Sequence, residues 1–259
     1  MKMRRFALAA AALLVLFVLG CCASPERDDP APSVPTAANG GDSTAGGADK
    51  PPDGTPAPDD QQVLRMVTPG PFRMDPPTYN LGLWQLQMMV IQALTRVTME
   101  GEVGPGVADS WESNEDATEW TFHLNPNAKF SDGTPLTAND VKWTWDWLVN
   151  PASTSVNADV PAGKIVGFEA VRDGETTSLE GVTVVDDQTI QFALTVPVPY
   201  FAALAGAFSV ATLKGENVES GGVEWWREPV TSGFFKVTEY TPGDQASMVL
   251  ERNEHWWRE

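Results

Sequence analysis

Apolar and polar residues alternate most regularly in residues 119–150, where a two-residue period gives way to a helical one. The alternation over residues 120–124 predicts a strand with one buried face, and a turn rich in Pro, Gly and Asp follows it. Thr137 stands three residues before Asp140, which is the spacing of a helix N-terminal cap. Apolar positions then recur on one helical face until Pro151 ends the pattern. The segment therefore predicts a strand, a turn and a capped helix, in that order.

Four further segments show strand or helix periodicity on either side of this block. Residues 63–67 predict a short strand, and residues 83–97 predict a helix because their apolar positions form one stripe. Residues 181–194 predict a hairpin that turns at 186–188, and residues 237–253 predict a second strand pair. A protein of mixed helices and sheets is therefore expected to begin near residue 63.

Residues 1–20 have the three-part pattern of a secretion signal. A basic start precedes an apolar run that is too short to span a bilayer comfortably, and a small residue then precedes Cys21. This arrangement resembles a bacterial lipobox, so we expect cleavage before Cys21 and attachment of lipid to its thiol. Cys22 is a poorer acceptor of lipid, because the residue before it would then be Cys21. A simple secretory peptide with ordinary cleavage is the alternative.

Residues 21–62 connect the lipidated Cys21 to the periodic part of the chain. They are rich in Pro, Gly, Ala, Ser, Thr and Asp and nearly lack large apolar side chains. Such a segment cannot bury enough surface to offset the entropy that it would lose on ordering. We therefore expect a disordered tether, with a mucin-like glycosylated stalk as the alternative.

The composition argues against several classes of function. The 17 Lys and Arg residues oppose 35 Asp and Glu residues, which gives a formal net charge of −18. Nucleic-acid binding and docking on anionic lipid both require a positive surface, so neither is expected. The chain is 42% hydrophobic, enough for a packed core, and its 259 residues allow one large or two modest domains. The only two cysteines are adjacent, so the folded part is expected to contain no disulfide.

No catalytic or metal-binding motif stands out in the sequence. The patterns G-x-S-x-G and H-E-x-x-H and a Gly-rich phosphate loop are absent, and no carboxylate pair has a spacing typical of a glycosidase. His123 lies on a predicted strand and His255 in an aromatic cluster, and structural roles are favoured for both over metal binding. We expect a protein that is not an enzyme and that holds no metal and no cofactor.

Three short motifs in fixed register resemble the signature block of the bacterial extracellular solute-binding proteins of family 5. The motifs are T-F-H-L at 121–124, F-S-D-G-T-P at 130–135 and T-A-N-D-V at 137–141. Further similarity lies in the runs 104–111, 197–201 and 232–257. The closest likeness is to oligopeptide-binding lipoproteins, and it covers nearly all of residues 63–257. The motif block itself is expected to be scaffold, with no need to touch ligand.

The resemblance implies an α/β fold with mixed sheets, of the type II class of periplasmic-binding-protein-like folds. The chain would carry the N-terminal portion of a two-lobe protein. Residues 63–95 and 209–259 would form an incomplete first lobe, and residues 96–208 would form an inserted subdomain. Family members continue for about as long again, so the C-terminal lobe is expected to be missing and the chain to be a fragment or a truncated reading frame.

The resemblance also implies the function of a substrate-binding lipoprotein of an ABC importer. Such a protein captures peptides outside the cytoplasmic membrane and delivers them to the membrane permease, and a monomer is expected. The first alternative is the same fold binding a nickel chelate, a sugar or another small solute. The second is a cell-wall glycan-binding module or a surface enzyme.

Four residues are implied as ligand contacts. The resemblance places backbone contacts at Asn80, Leu81 and Gly82, although these residues could merely lead into the predicted helix. Related proteins often place an aromatic residue over the ligand near Asn157, so the pocket here is expected to differ. Most ligand contacts would belong to the missing lobe, and the present half alone is therefore expected to bind peptide weakly or not at all.

Overall fold

The computed structural model describes residues 84–258, apart from residues 99, 154, 156, 158 and 242–246. All of the described residues belong to one compact unit. The predictions made at Cys21, for the strand at 63–67 and at Asn80, Leu81 and Gly82 lie outside the described residues.

The described residues form short helices and three antiparallel sheets. The helices are α1 (Trp84–Val90), α2 (Ala138–Val149), α3 (Asp159–Ala162), α4 (Phe168–Arg172), α5 (Phe201–Leu204) and α6 (Gly215–Gly221). The strands are β1 (Thr95–Val97), β2 (Val103–Pro105), β3 (Ala108–Ser113), β4 (Glu119–Leu124), β5 (Val182–Asp186), β6 (Thr189–Ala193), β7 (Phe235–Thr241) and β8 (Ser247–Arg252). Short 3-10 turns cover Pro151–Ser153, Phe208–Val210 and Gly222–Arg227.

The largest sheet has the strand order β3-β4-β6-β5, and the other two sheets are the pairs β1-β2 and β7-β8. The alternation predicted for β4 is confirmed, because Trp120, Phe122 and Leu124 are buried while their neighbours are more exposed. The predicted hairpin is also confirmed, since β5 and β6 pair directly across a turn at Asp187-Gln188. Both outer strands of this sheet, β3 and β5, contain a shift in register.

Helix α2 follows the turn and begins as the sequence predicts. The backbone N–H and the hydroxyl of Thr137 both donate to Asp140 Oδ2, each at 2.8 Å, so the carboxylate closes the first turn of the helix. The predicted apolar face is buried on the sheet. Trp145 is only 1% exposed, and its ring meets the edge of Phe192 with centroids 5.0 Å apart. These contacts form the centre of the first hydrophobic core.

A second, smaller core lies on another side of α2. Trp143 and Trp147 stack with ring centroids 5.8 Å apart, and both pack against this core. Its fully buried members are Val90, Ile91, Ala93, Ala211, Leu213, Val218, Trp225 and Trp226. The apolar face of the β7-β8 pair covers part of it. Thr144 joins α2 to this region, because its hydroxyl donates to Asp140 O (2.7 Å) and accepts from Leu213 N (3.0 Å).

The single helix predicted over 83–97 is wrong. Helix α1 ends at Val90, and Thr95–Val97 is a strand that pairs with β2. The carbonyl of Val90 accepts from Ser232 N and Gly233 N, and the carbonyl of Leu94 accepts from residues 106 and 108. These long-range partners occupy carbonyls that a continued helix would use internally. The β-branched residues at 95 and 97 also favour a strand.

Replacement of Thr144 by Val should destabilise the protein by about 1–3 kcal/mol, because the shape is kept while the buried Leu213 N–H loses its acceptor. The free energy of unfolding, measured by urea titration, is the test. Thr144→Ser retains the hydroxyl and is the matched control, so it should be the more stable of the two variants. Equal stability of the two variants would show that the hydrogen bond contributes nothing.

Candidate ligand-binding surface

Of the four residues predicted to contact ligand, the structure describes only Asn157. Asn80, Leu81 and Gly82 lie outside the described residues, so their predicted role stays a prediction. Asn157 is half-buried in the loop between the 3-10 turn Pro151–Ser153 and α3.

The loop that carries Asn157 is fixed at its start to the end of α2. Asn150 Oδ1 accepts from Ala152 N at 2.9 Å. The hydroxyl of Ser153 donates to Leu148 O at 3.1 Å and accepts from Ser155 N at 3.2 Å. The loop therefore leaves the helix in a defined direction.

Two polar side-chain atoms in this loop are buried without a hydrogen-bond partner. They are Ser155 Oγ and Asn157 Nδ2. Most buried polar atoms in proteins are paired, so these two atoms are candidates for a partner that the described residues do not supply. Ser155 was not singled out from the sequence, because a lone serine in a small, polar loop carries no distinguishing signal. An amide N–H and a hydroxyl suit an acceptor oxygen such as a peptide carbonyl.

A concave surface lies between the start of α2 and α6, and we call it the α2–α6 groove. It has a volume of about 500 Å³. Its lining includes Pro135, Asp140, Trp143, Lys214, Gly215, Glu216 and Glu219. Gly215 packs against the Trp143 ring so closely that a Cβ would lie 2.8 Å from ring carbons. No local sequence pattern predicts this groove, because its two sides are 76 residues apart in the chain.

An ion pair borders the groove and anchors the turn before α2. Asp132 Oδ1 accepts from Thr134 N (3.0 Å) and from the Thr134 hydroxyl (2.6 Å). Lys214 Nζ donates to Asp132 Oδ2 at 2.5 Å. Burial works against ionisation of Asp132, but the bonds from Lys214 and Thr134 outweigh it, and the pKa of Asp132 falls below its ordinary value. At Asp140 burial dominates, and it raises the pKa although Thr137 donates two hydrogen bonds to the carboxylate.

The described residues contain no group of three or more His, Cys, Asp or Glu side chains that could hold a metal ion. His123 Nε2 lies 3.1 Å from Glu112 Oε1 on the neighbouring strand, and the His255 ring lies beside Gly133. Within the part of the chain that the structure describes, no helix has the length and apolar character needed to cross a bilayer.

The fold is that of periplasmic peptide-binding proteins. The solved structure of the Escherichia coli murein tripeptide binding protein MppA superposes with a TM-score of 0.68 and 34% identity, over 74% of this chain and 38% of that one. Haemophilus influenzae OppA in complex with the peptide RPPGFSPFR superposes with a TM-score of 0.65 and 31% identity, over 71% of this chain and 37% of that one.

Sequence comparison gives the same result. The Escherichia coli periplasmic murein peptide-binding protein MppA is 34% identical over 213 residues, which are 80% of this chain and 38% of that protein. Residues 102–259 match the model described as bacterial extracellular solute-binding proteins, family 5 Middle. The chain therefore belongs to family 5 of the bacterial extracellular solute-binding proteins, whose members bind solutes. It spans 38% of the length of Escherichia coli MppA and 37% of that of the Haemophilus influenzae OppA structure.

Replacement of Asp132 by Asn should destabilise the protein at neutral pH and progressively less in acid. Because folding lowers the pKa of Asp132, its ionised carboxylate stabilises the fold above the ordinary pKa of 3.8. That stabilisation disappears as the pH falls through the lower, folded-state pKa. Urea titrations of wild type and variant at about pH 7 and about pH 3 measure the difference.

Lys214→Met removes the other half of the same pair and should show the same pH dependence. The double variant should lose no more stability than the two single variants lose together, because both substitutions break the same pair. A stability difference that does not change with pH would show that the Asp132–Lys214 pair is not its cause.

Proposed function

We propose that this chain is part of a substrate-binding protein of an ABC importer that captures peptides outside the cytoplasmic membrane and delivers them to the permease. One observation carries the proposal: the fold and sequence match a structure that was solved with a bound nonapeptide, at 31% identity. The Escherichia coli protein MppA, which is 34% identical to this chain over 213 residues, is also named for peptide binding. In this proposal the protein binds its substrate and does not transform it.

The proposed binding mode is an extended peptide held between two lobes that close around it. Main-chain hydrogen bonds would give affinity that is independent of sequence, and permissive pockets would accept the side chains. This chain would contribute one side of the cleft. Asn80, Leu81 and Gly82 would contact the peptide backbone, and Asn157 would donate its free amide N–H to a peptide carbonyl in place of an aromatic contact.

We propose that residues 63–95 and 209–259 belong to the first lobe and that residues 96–208 form a subdomain inserted into it. The two hydrophobic cores support this division. The buried members of the first core run from Leu94 to Val210, whereas those of the second come from both sides of that range. The chain therefore passes from the second core into the first and back again.

We also propose that residues 1–20 are a signal peptide and that lipid on Cys21 anchors the protein to the outer face of the cytoplasmic membrane. Two or more acyl chains anchor a protein stably without a membrane-spanning helix. Residues 21–62 would then act as a flexible tether that keeps a monomeric binding domain near the permease. The support is the lipobox-like sequence before the only cysteine pair in the chain.

Tripeptides such as tri-alanine should raise the melting temperature of the complete mature gene product, because a ligand that binds only the folded state stabilises it by about 2.7 kcal/mol at 100 times its Kd. Stabilisation by nickel or an oligosaccharide instead of peptides would redirect the proposal to another solute.

Asn157→Ala should weaken tripeptide binding by about fivefold, the worth of one hydrogen bond. Asn127→Ala removes an exposed amide elsewhere and should leave affinity unchanged. An unchanged affinity for Asn157→Ala would remove Asn157 from the site.

Cys21→Ser should release the protein from the membrane fraction and abolish incorporation of labelled palmitate, because no thiol remains at the acylation position. Fractionation of producing cells and the label are the two measurements. Cys22→Ser is the matched control and should remain membrane-bound and labelled. Loss of the label in Cys22→Ser but not in Cys21→Ser would move the anchor by one residue.

A further inference from the structure

The wall of the α2–α6 groove is largely apolar. Pro135 stands exposed at one side, and the half-buried Trp143 forms the floor between Trp147 and Gly215. Trp147 of α2 stacks on the Trp143 ring and Gly215 of α6 packs against it, so the indole is held in place by both helices. The floor is therefore rigid and offers an apolar surface that remains open to solvent.

The rim of the groove is acidic. Glu216 and Glu219 are both exposed on α6, and the half-buried Asp140 lies on the α2 side. Glu219 Oε1 accepts from the Trp143 indole N–H at 3.1 Å, so a neutral donor holds this carboxylate in position over the floor. Among the described residues no ion pair involves Glu216, Glu219 or Asp140.

The one cation that lines the groove among the described residues is already neutralised. Lys214 donates to Asp132 at 2.5 Å and to Thr134 at 3.2 Å. The same holds for other basic side chains of the described part: Lys142, Arg172, Arg227, Lys236 and Arg258 also pair with carboxylates. Glu216 and Glu219 therefore carry negative charge without an ion-pair partner among the described residues, whereas Asp140 accepts two hydrogen bonds from Thr137 and lies within the field of Lys214.

An apolar floor with an acidic rim matches the two-part chemistry of a lysine or arginine side chain. The methylene stem of such a residue packs on apolar surface while its charged end reaches out to a carboxylate. An acidic side chain would be repelled, and a purely apolar one would leave the rim carboxylates unpaired. The electrostatic field of a chain with net charge −18 would also attract a basic partner over a longer range.

We propose that the α2–α6 groove docks a lysine- or arginine-rich segment of a partner protein, with the aliphatic stems on Pro135 and Trp143 and the cationic ends at Glu216 and Glu219. This surface is distinct from the loop of Asn157, and the proposal does not depend on which solute the protein carries.

The probe is the blocked peptide acetyl-(Lys-Ala)3-amide, whose capped ends remove the free termini of a transported peptide. Binding to the complete mature protein is followed at low salt through the indole N–H resonance of Trp143, which Trp143→Phe assigns. The probe should shift this resonance, and acetyl-(Glu-Ala)3-amide should not. Glu216→Gln with Glu219→Gln should weaken binding of the lysine probe by about tenfold, the combined worth of two exposed ion pairs. Gln at 219 still offers the indole an acceptor.

Glu239→Gln with Glu251→Gln is the matched control, because it removes the same charge from exposed positions on β7 and β8. This pair should change the affinity by less than about twofold, the effect of a weak long-range charge interaction. Equal weakening by both pairs would overturn the proposal in favour of diffuse attraction to an acidic protein. Failure of the lysine probe to shift the Trp143 resonance, or an equal response to the glutamate probe, would overturn it as well.

Discussion

Helix α2 has to be covered on two sides, and the described part of the fold depends on this constraint. Trp145 enters the first core, and the stacked pair Trp143 and Trp147 packs against the second. Thr144 lies between these faces, and its hydroxyl is bonded to a backbone N–H 69 residues away. A helix with two apolar faces cannot lie on a surface, so chain from both sides of the helix in sequence must come together around it. The two cores are consequently held in one body.

The turn before α2 also helps to hold the two cores together. Gly133 has a φ of +84°, which other residues rarely adopt, and the His255 ring leaves almost no space beside it. Ser131 exchanges backbone and hydroxyl hydrogen bonds with Thr231, and Asp132 binds Lys214. A turn from the first core is thereby fastened to residues that follow it by 80 to 100 positions. This explains in physical terms why the F-S-D-G-T-P sequence is so informative about fold: every polar side-chain atom in it has a hydrogen-bond partner.

Local patterns were sufficient to predict β4, the β5-β6 hairpin and the capped α2, because in each case the periodicity and the turn residues agree. The same approach failed at residues 83–97. There the apolar stripe has helical spacing, but distant segments around 106–108 and 232–233 take the backbone hydrogen bonds of residues 90–94. Sequence periodicity contains no information about such partners. The resemblance to family 5 supplied the fold and the class of function, which no local pattern could supply.

The two candidate surfaces, the loop of Asn157 and the α2–α6 groove, were the least predictable parts. Asn157 was proposed from its position in the family pattern, and the structure adds Ser155 beside it as a second buried atom without a partner. The α2–α6 groove depends on the approach of two helices that are far apart in sequence, and on a glycine at 215 that lets one lie against the Trp143 ring. Neither property has a signature within a short window of sequence, since both arise from packing between distant segments.

The register shifts in β3 and β5 have a consequence for the behaviour of the protein at high concentration. These are the two outer strands of the largest sheet, and each would otherwise present a regular row of backbone donors and acceptors. A bulge disrupts the spacing of that row, so a strand from another molecule cannot add to it in register. The register shifts thereby act against growth of the sheet into fibrils at both borders, together with the exposed Asp109 and Glu112 on β3.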